Sequence, residues 1–306
     1  MDELRFDGRA VIVTGAGRGV GRGHAMTFAS RGAKVVVADL GGAMEGGGRD
    51  AGPAEQVVKE IQAAGGEAVA AVGSVAEEAE ARSIVQTAID AFGRVDVVVN
   101  NAGIADPDLF GDMTMARFRL MTDVHYHGTV QICLAAWPHM VAAGYGRIVN
   151  TTSEGAFGVI PKATGYGGAK GAVFSFTRAL SLDAKRFGDI RVNMISPRAS
   201  TRMSSPQILG HTMDLPEEVF EKSPTLDTYR PELVSSAAVF LGHESCTLDG
   251  ETLICGGGQV MRMALIQNEG FTKAGLTPED IAENIDAAMD MSNARIIQIG
   301  VQQGEH

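Results

Sequence analysis

A short apolar run, Ala10-Val11-Ile12-Val13, leads directly into Thr14-Gly15-Ala16-Gly17-Arg18-Gly19-Val20-Gly21. No other stretch limits the fold so strongly. Glycines at these positions permit a tight turn and let backbone N–H groups come close to an anion. Residues 24–30 then read as a helix, ended by Arg31-Gly32. A second apolar run, Val35-Val36-Val37-Ala38, follows and closes on Asp39. Strand, glycine turn, helix and strand make a βαβ unit.

The alternation continues. Strands are expected near 68–72, 95–99, 147–151, 190–195 and 252–255, and helices over 54–64, 77–92, 115–143, 168–187 and 231–241. Pro138 is expected to kink or end the long helical stretch 115–143. Segment 41–53 is glycine-rich and reads as loop. Short runs of β-branched residues between helices predict an α/β fold: a Rossmann-type, doubly wound parallel sheet buried on both faces. No composition break marks a linker, so residues 1–260 read as one domain. Residues 261–306 read as a C-terminal helical extension, packed on the same domain or on a partner subunit. Thr277-Pro278-Glu279-Asp280 is a helix start, with a Thr cap, Pro at the first helical position and acids in the first turn. The helix it opens is expected to reach about Met291.

Composition excludes several functions. The 306 residues carry a formal charge of −11, which argues against a nucleic-acid partner. No apolar run reaches the roughly 20 residues of a membrane helix, and the charged N-terminus has no signal-peptide core, so the expected location is cytoplasmic. Cys133, Cys246 and Cys255 are too scattered for a disulfide framework or a zinc site, and no metal is expected.

The glycine turn is not GxGxxG, because Val20 stands where the third glycine would fall. It is TGxxxGxG, with Gly15, Gly19 and Gly21. An acid about 20 residues further on binds the adenosine ribose hydroxyls in dinucleotide folds, and Asp39 has that place. Its charge repels a 2′-phosphate and favours NAD over NADP. Arg18 in the turn pulls the other way, and Asp39 is weighed more heavily.

Three further motifs follow in order. Asn100-Asn101-Ala102-Gly103 ends the fourth strand, Tyr166-Gly167-Gly168-Ala169-Lys170 is YxxxK, and Ser153 lies 13 positions before the tyrosine. With the glycine turn, this set resembles the short-chain dehydrogenase/reductase family over about residues 5–260. Ala38-Asp39-Leu40-Gly41-Gly42, Val124-His125 and His243-Glu244-Ser245-Cys246 are similar to the (3R)-hydroxyacyl-CoA dehydrogenase (17β-hydroxysteroid dehydrogenase type 4) branch.

The resemblance implies an NAD-dependent oxidoreductase of a secondary alcohol or ketone, with a 3-hydroxyacyl-CoA of a fatty acyl or sterol side chain as substrate. The alternatives are a dehydrogenase of free steroid or terpenoid alcohols and, in another class, a non-catalytic NAD-binding scaffold. It also implies a homodimer or homotetramer. Tyr166 is then the base, its pKa lowered by Lys170 one helical turn along. Ser153 binds the substrate oxygen. Gly15, Arg18, Gly19, Val20, Gly21, Asp39, Ser74, Val75, Asn101, Ala102, Gly103 and Pro197, with Tyr166 and Lys170, hold the cofactor.

This chain departs from the family pattern at three places. His125 stands where Asn is usual and is read either as a proton relay or as a buried structural histidine. Arg198 follows Pro197 where glycine is usual. Arg198 and Arg202 meet CoA phosphates or are solvated charges. Ser74-Val75 replaces Asp-Val, with weakened contact to adenine. Segment 203–228, with Pro206, Pro216 and Pro224, corresponds to the family's substrate lid. It is more apolar than a solvated loop requires.

Overall fold

The computed structural model describes residues 3–221 and 228–299. The chain divides into two compact units, Met1–Met261 and Arg262–His306. The first is built on a sheet of β1 (Ala10–Thr14), β2 (Lys34–Ala38), β3 (Glu67–Ala71), β4 (Val97–Asn100), β5 (Tyr145–Thr151), β6 (Asp189–Pro197) and β7 (Thr252–Gly256), with an eighth strand, β8 (Gln259–Met263), that begins in it and ends two residues past its boundary. Their order is β3-β2-β1-β4-β5-β6-β7-β8. Every pairing from β3 to β7 is parallel, with Thr14 opposite Ala38 and Val13 opposite Val99. The order reverses between β1 and β4, and open α/β sheets bind their ligands at the carboxyl ends of the strands beside such a reversal.

The expected helices appear as α1 (Gly19–Ser30), α2 (Gly52–Ala63), α3 (Glu78–Phe92), α4 (Met115–Thr122), α5 (Gly128–Ala143), α6 (Thr164–Ala184) and, after two short helices in the segment read as a lid, α7 (Pro206–Met213) and α8 (Glu218–Glu221), as α9 (Glu232–Gly242). Successive residues of a strand point to opposite faces, so β1 feeds two cores. Val11 and Val13 join Phe28, Ile61 and Val234 on one face, and Ile12 joins Ile84, Ile132 and Val192 on the other. Burial on both faces explains why the strands are continuous apolar runs rather than alternating ones.

Two boundaries differ from expectation in ways that matter for the site. First, α1 starts at Gly19, inside the glycine turn, and α6 starts at Thr164, before the tyrosine. Second, the stretch 115–143 is interrupted by a π-helical turn, Asp123–His127, between α4 and α5. Pro138 lies within α5, which continues to Ala143. The carbonyl it deprives of a partner belongs to Leu134, a residue 66% exposed, so water can replace the lost bond.

The second unit contains a two-stranded antiparallel ribbon of β9 (Ile266–Gln267) and β10 (Arg295–Ile296), with α10 (Pro278–Glu283) and α11 (Ile285–Met289). The Thr277 hydroxyl accepts from Asp280 N–H in a capping box, as expected. The single helix to Met291 is replaced by two short ones. Asn284 breaks it, leaving helical geometry while its amide donates to the Asp280 carbonyl at 2.8 Å. No described helix is long and apolar enough to cross a membrane. The described residues hold no cluster of three or more His, Cys, Asp or Glu side chains able to take a metal.

Candidate active site

The turn after β1 is close-packed. Gly15 and Gly19 have φ of 64° and 53°, a backbone that favours glycine. A Cβ on Gly21 would lie 2.1 Å from the Gly15 carbonyl oxygen. Asn101 Nδ2 donates to the Thr14 and Gly15 carbonyls at 2.9 and 3.2 Å, and Thr14 Oγ1 accepts the Asn101 and Ala102 N–H groups, each at 3.1 Å. Asn101 and Ala102 therefore brace the turn from β4. Arg18 occupies the N-cap of α1 without a side-chain cap bond, and no acid stands in the first turn. The first N–H groups of α1 are left to meet an anion. Val20 is partly buried against the core beneath.

The Asp39 carboxylate closes the other side of the turn. It accepts the Gly17 N–H at 2.7 Å and the Gly41 N–H at 2.6 Å. Arg18 makes no ion pair among the described residues. At the end of β3, Ser74 Oγ accepts the Ala76 N–H at 3.2 Å, and buried Val75 packs where a Cβ on Gly128 would fall. The glycine loop reaches across to β4: the Met44 carbonyl accepts the Ala105 N–H at 3.1 Å.

α6 brings Tyr166 and Lys170 to one face, under the end of β5. Lys170 is 3% exposed, and its Nζ donates to the Thr151 carbonyl at 2.7 Å. Burial pushes its pKa down to about 7. The Ser153 hydroxyl accepts the Gly155 N–H at 3.1 Å, and Ser153 and Tyr166 both border Gly155, where a Cβ would lie 3.4 Å from Ser153 Oγ and 3.3 Å from Tyr166 Cε1. The expected lowering of the tyrosine pKa is not found: burial raises it, opposed by Ser153. The desolvation that depresses Lys170 also disfavours a phenolate, and here it outweighs the help from Ser153.

His125 sits on the π turn, 1% exposed. Its Nε2 faces both backbone polar groups of Ile104, 2.9 Å from the carbonyl oxygen and 3.2 Å from the amide nitrogen, and the tautomer decides whether it donates to the first or accepts from the second. Nδ1 is buried without a partner among the described residues. Burial first, then the charge of Lys170, holds its pKa well below the ordinary histidine value, so the imidazole is neutral. A Cβ on Gly103 would be 2.6 Å from His125 Cε1, which ties the end of the Asn-Asn-Ala-Gly segment to this ring.

Arg198 is not a free surface charge. Its guanidinium pairs in bidentate fashion with Glu154, both N–O distances being 2.7 Å. Glu154 follows Ser153, so the pair joins the serine turn to the chain leaving β6 at Pro197. Arg202 is exposed and forms no ion pair among the described residues. Glu154 and Thr151 were not singled out in the sequence. Glu154 carries no motif, and its partner lies 44 positions away, so only the fold reveals it. Pro216 lies within the described part of segment 203–228, whereas Pro224 lies outside the described residues.

Residues 9–207 match the short chain dehydrogenase family. A short-chain type dehydrogenase/reductase of Mycobacterium tuberculosis is 40% identical over 94% of this chain and 96% of its own length. Peroxisomal multifunctional enzyme type 2 of Mus musculus is 38% identical over 95% of this chain, which spans only 38% of that longer protein. Among solved structures, a 7α-hydroxysteroid dehydrogenase complexed with NADH and 7-oxo glycochenodeoxycholic acid superposes with a TM-score of 0.71 at 32% identity, covering 85% of this chain and 98% of that one. The fold, the ordered motifs and these likenesses agree: the chain belongs to the short-chain dehydrogenase family of oxidoreductases.

Proposed function

We propose that the protein interconverts a secondary alcohol and a ketone with NAD, acting on the 3-hydroxyl of a 3-hydroxyacyl-CoA. The observation that carries the reading is that Ser153 and Tyr166 meet around Gly155 with the Lys170 side chain buried one turn along. Side chains gathered in this way can present both hydroxyls to one substrate oxygen. Tyr166 is placed to take the alcohol proton in oxidation and return it in reduction. Ser153 donates to the carbonyl oxygen and stabilises charge developing there. Lys170 provides the positive charge that a phenolate needs, and the Thr151 carbonyl fixes the position of that charge. His125 supports the Tyr166 ring and offers its buried Nδ1 to a proton path.

The turn fits a dinucleotide. The uncapped α1 N-terminus and the space left by Gly15, Gly19 and Gly21 suit a pyrophosphate, and Asp39 suits ribose hydroxyls. Arg18 flanks the pyrophosphate, Val20 shapes the turn, Ser74 and Val75 border the adenine, and Gly103 and Pro197 border the nicotinamide. Bound there, NAD supplies the hydride acceptor. NAD is preferred to NADP because the Asp39 carboxylate opposes a 2′-phosphate, and the similar steroid dehydrogenase was solved with NADH.

The thioester substrate is supported by similarity to the peroxisomal multifunctional enzymes. Similarity to the 7α-hydroxysteroid dehydrogenase supports a second reading, a free steroid alcohol. On either reading the chemistry belongs to residues 1–260. The chain would act as a homodimer or homotetramer through α5 and α6, where Leu134 and Leu182 are exposed. NADH formation with (3R)- and (3S)-3-hydroxyacyl-CoA and with steroid alcohols, repeated with NADP, tests the reading. Turnover of the (3R) thioester with NAD is expected. Turnover of steroids alone moves the substrate to the second reading, and preference for NADP overturns the role of Asp39.

A further inference from the structure

Two residues other than glycine have positive φ among the described residues: Lys162 at 54° and Asp214 at 55°. They are bonded to each other. Lys162 Nζ lies 2.5 Å from Asp214 Oδ1 and donates to the His211 carbonyl at 2.6 Å. A long side chain holds a left-handed backbone only when its surroundings fix it there, so such an outlier points towards function. A solvated surface lysine does not describe Lys162, whose side chain is 8% exposed.

The bonds around this pair join three segments, each of which begins at a residue of the site. Lys162 lies in the loop between Ser153 and Tyr166. His211 and Asp214 lie at the C-terminal end of α7, which follows the exit of β6 at Pro197. The third segment runs on from Ile104, the partner of His125: the Lys162 carbonyl accepts the Asp108 N–H at 2.9 Å, and His211 Nε2 donates to the Pro107 carbonyl at 3.0 Å. Arg117 on α4 anchors that segment through Asp106 and Asp108. Each latched segment carries an exposed apolar side chain close by in sequence: Phe110, Val159 and Met213.

We propose that Lys162 is a positioning residue, a latch that holds α7 against the two loops flanking Ser153, Tyr166 and His125 and so sets the grip of the site on an elongated apolar substrate. The substrate part rests on the dehydrogenase reading; the latch itself does not.

The variants are Lys162→Gly, which suits the backbone and removes the ammonium, and Asp214→Asn, which tolerates a left-handed backbone and removes the charge. Hydrogen exchange of residues 206–213 and thermal unfolding are read on the full chain without cofactor. The expected result is exchange faster by about tenfold or more in Lys162→Gly, the loss of two charge-assisted bonds, at little changed melting temperature. Asp214→Asn is expected to show a smaller rise and to add nothing in the double variant. In the enzyme assay, KM for a long-chain 3-hydroxyacyl-CoA should rise about tenfold while a short-chain thioester and kcat stay within about twofold. Wild-type exchange rates in both variants would overturn the latch. Faster exchange with equal KM changes for long and short chains would overturn its grip on substrate. A wild-type protein that oxidises no alcohol would refute the functional reading, while exchange would still decide the latch.

Discussion

The His125 ring meets the phenol of Tyr166 edge-on, with centroids 5.2 Å apart and planes at 90°. The contact exists because the helical stretch opens into a π turn at Asp123–His127, a distortion often found at functional sites. His125 thus supports the proposed base while leaving Nδ1 unpaired. His125→Phe keeps an edge for Tyr166 but removes both ring nitrogens. If Nδ1 serves the proton path, kcat should fall about tenfold or more with KM for NAD unchanged. A kcat equal to wild type at similar stability would leave the histidine a purely structural role.

Burial of Lys170 gives stability a definite pH slope. Its pKa falls from 10.5 in the unfolded chain to about 7 in the fold. Between those values the unfolded chain binds more protons, so stability rises with pH. The contribution is fully present above the unfolded value and is lost as pH falls through about 7. Denaturant unfolding of wild type and Lys170→Met across this range checks it. The difference between them should shift in favour of wild type as pH rises, and a constant difference would contradict the burial argument.

The Glu154–Arg198 pair is half exposed, so its worth to folding is small, within about 1 kcal/mol. Its effect on chemistry should be larger, because it joins the Ser153 turn to the β6 exit. Arg198→Ala is expected to lower kcat about tenfold with little change in melting temperature. The exchanged pair Glu154→Arg with Arg198→Glu should recover part of the loss. No recovery together with normal stability would mean that the pair does not position Ser153.

Gly21 and Gly168 offer a matched comparison. A Cβ on Gly21 would overlap the Gly15 carbonyl and come within 2.5 Å of Asn101 Nδ2, whereas one on Gly168 meets nothing within 4 Å. Gly21→Ala should weaken NAD binding by at least about tenfold and lower stability by a few kcal/mol. Gly168→Ala, on a helix, should be neutral or gain several tenths of a kcal/mol. NAD titration by fluorescence and thermal unfolding measure both.

The sheet was readable in the sequence because its strands are buried on both faces. Val35 to Ala38 and Val97 to Val99 have no exposed positions to blur the pattern. The YxxxK spacing was readable because it is local, one turn of one helix. The π turn was not, since Asp123–His127 satisfies helical periodicity and departs from it only by tertiary packing. Glu154–Arg198 and Lys162–Asp214 join residues 44 and 52 positions apart, and no local signal marks either pair. The direction of the Tyr166 shift also needed the fold, because the spacing places a charge nearby but not the burial that opposes it.

In the proposed reaction Tyr166 transfers the substrate proton. Tyr166→Phe keeps the ring, its packing on His125 and the cofactor turn, and removes only the hydroxyl. NADH formation by wild type and Tyr166→Phe should be compared on whichever substrate the wild type oxidises best, with NAD affinity measured in parallel. The expected result is a kcat lower by about 10²-fold or more, with NAD affinity lowered far less. A Tyr166→Phe enzyme as fast as wild type would contradict the account.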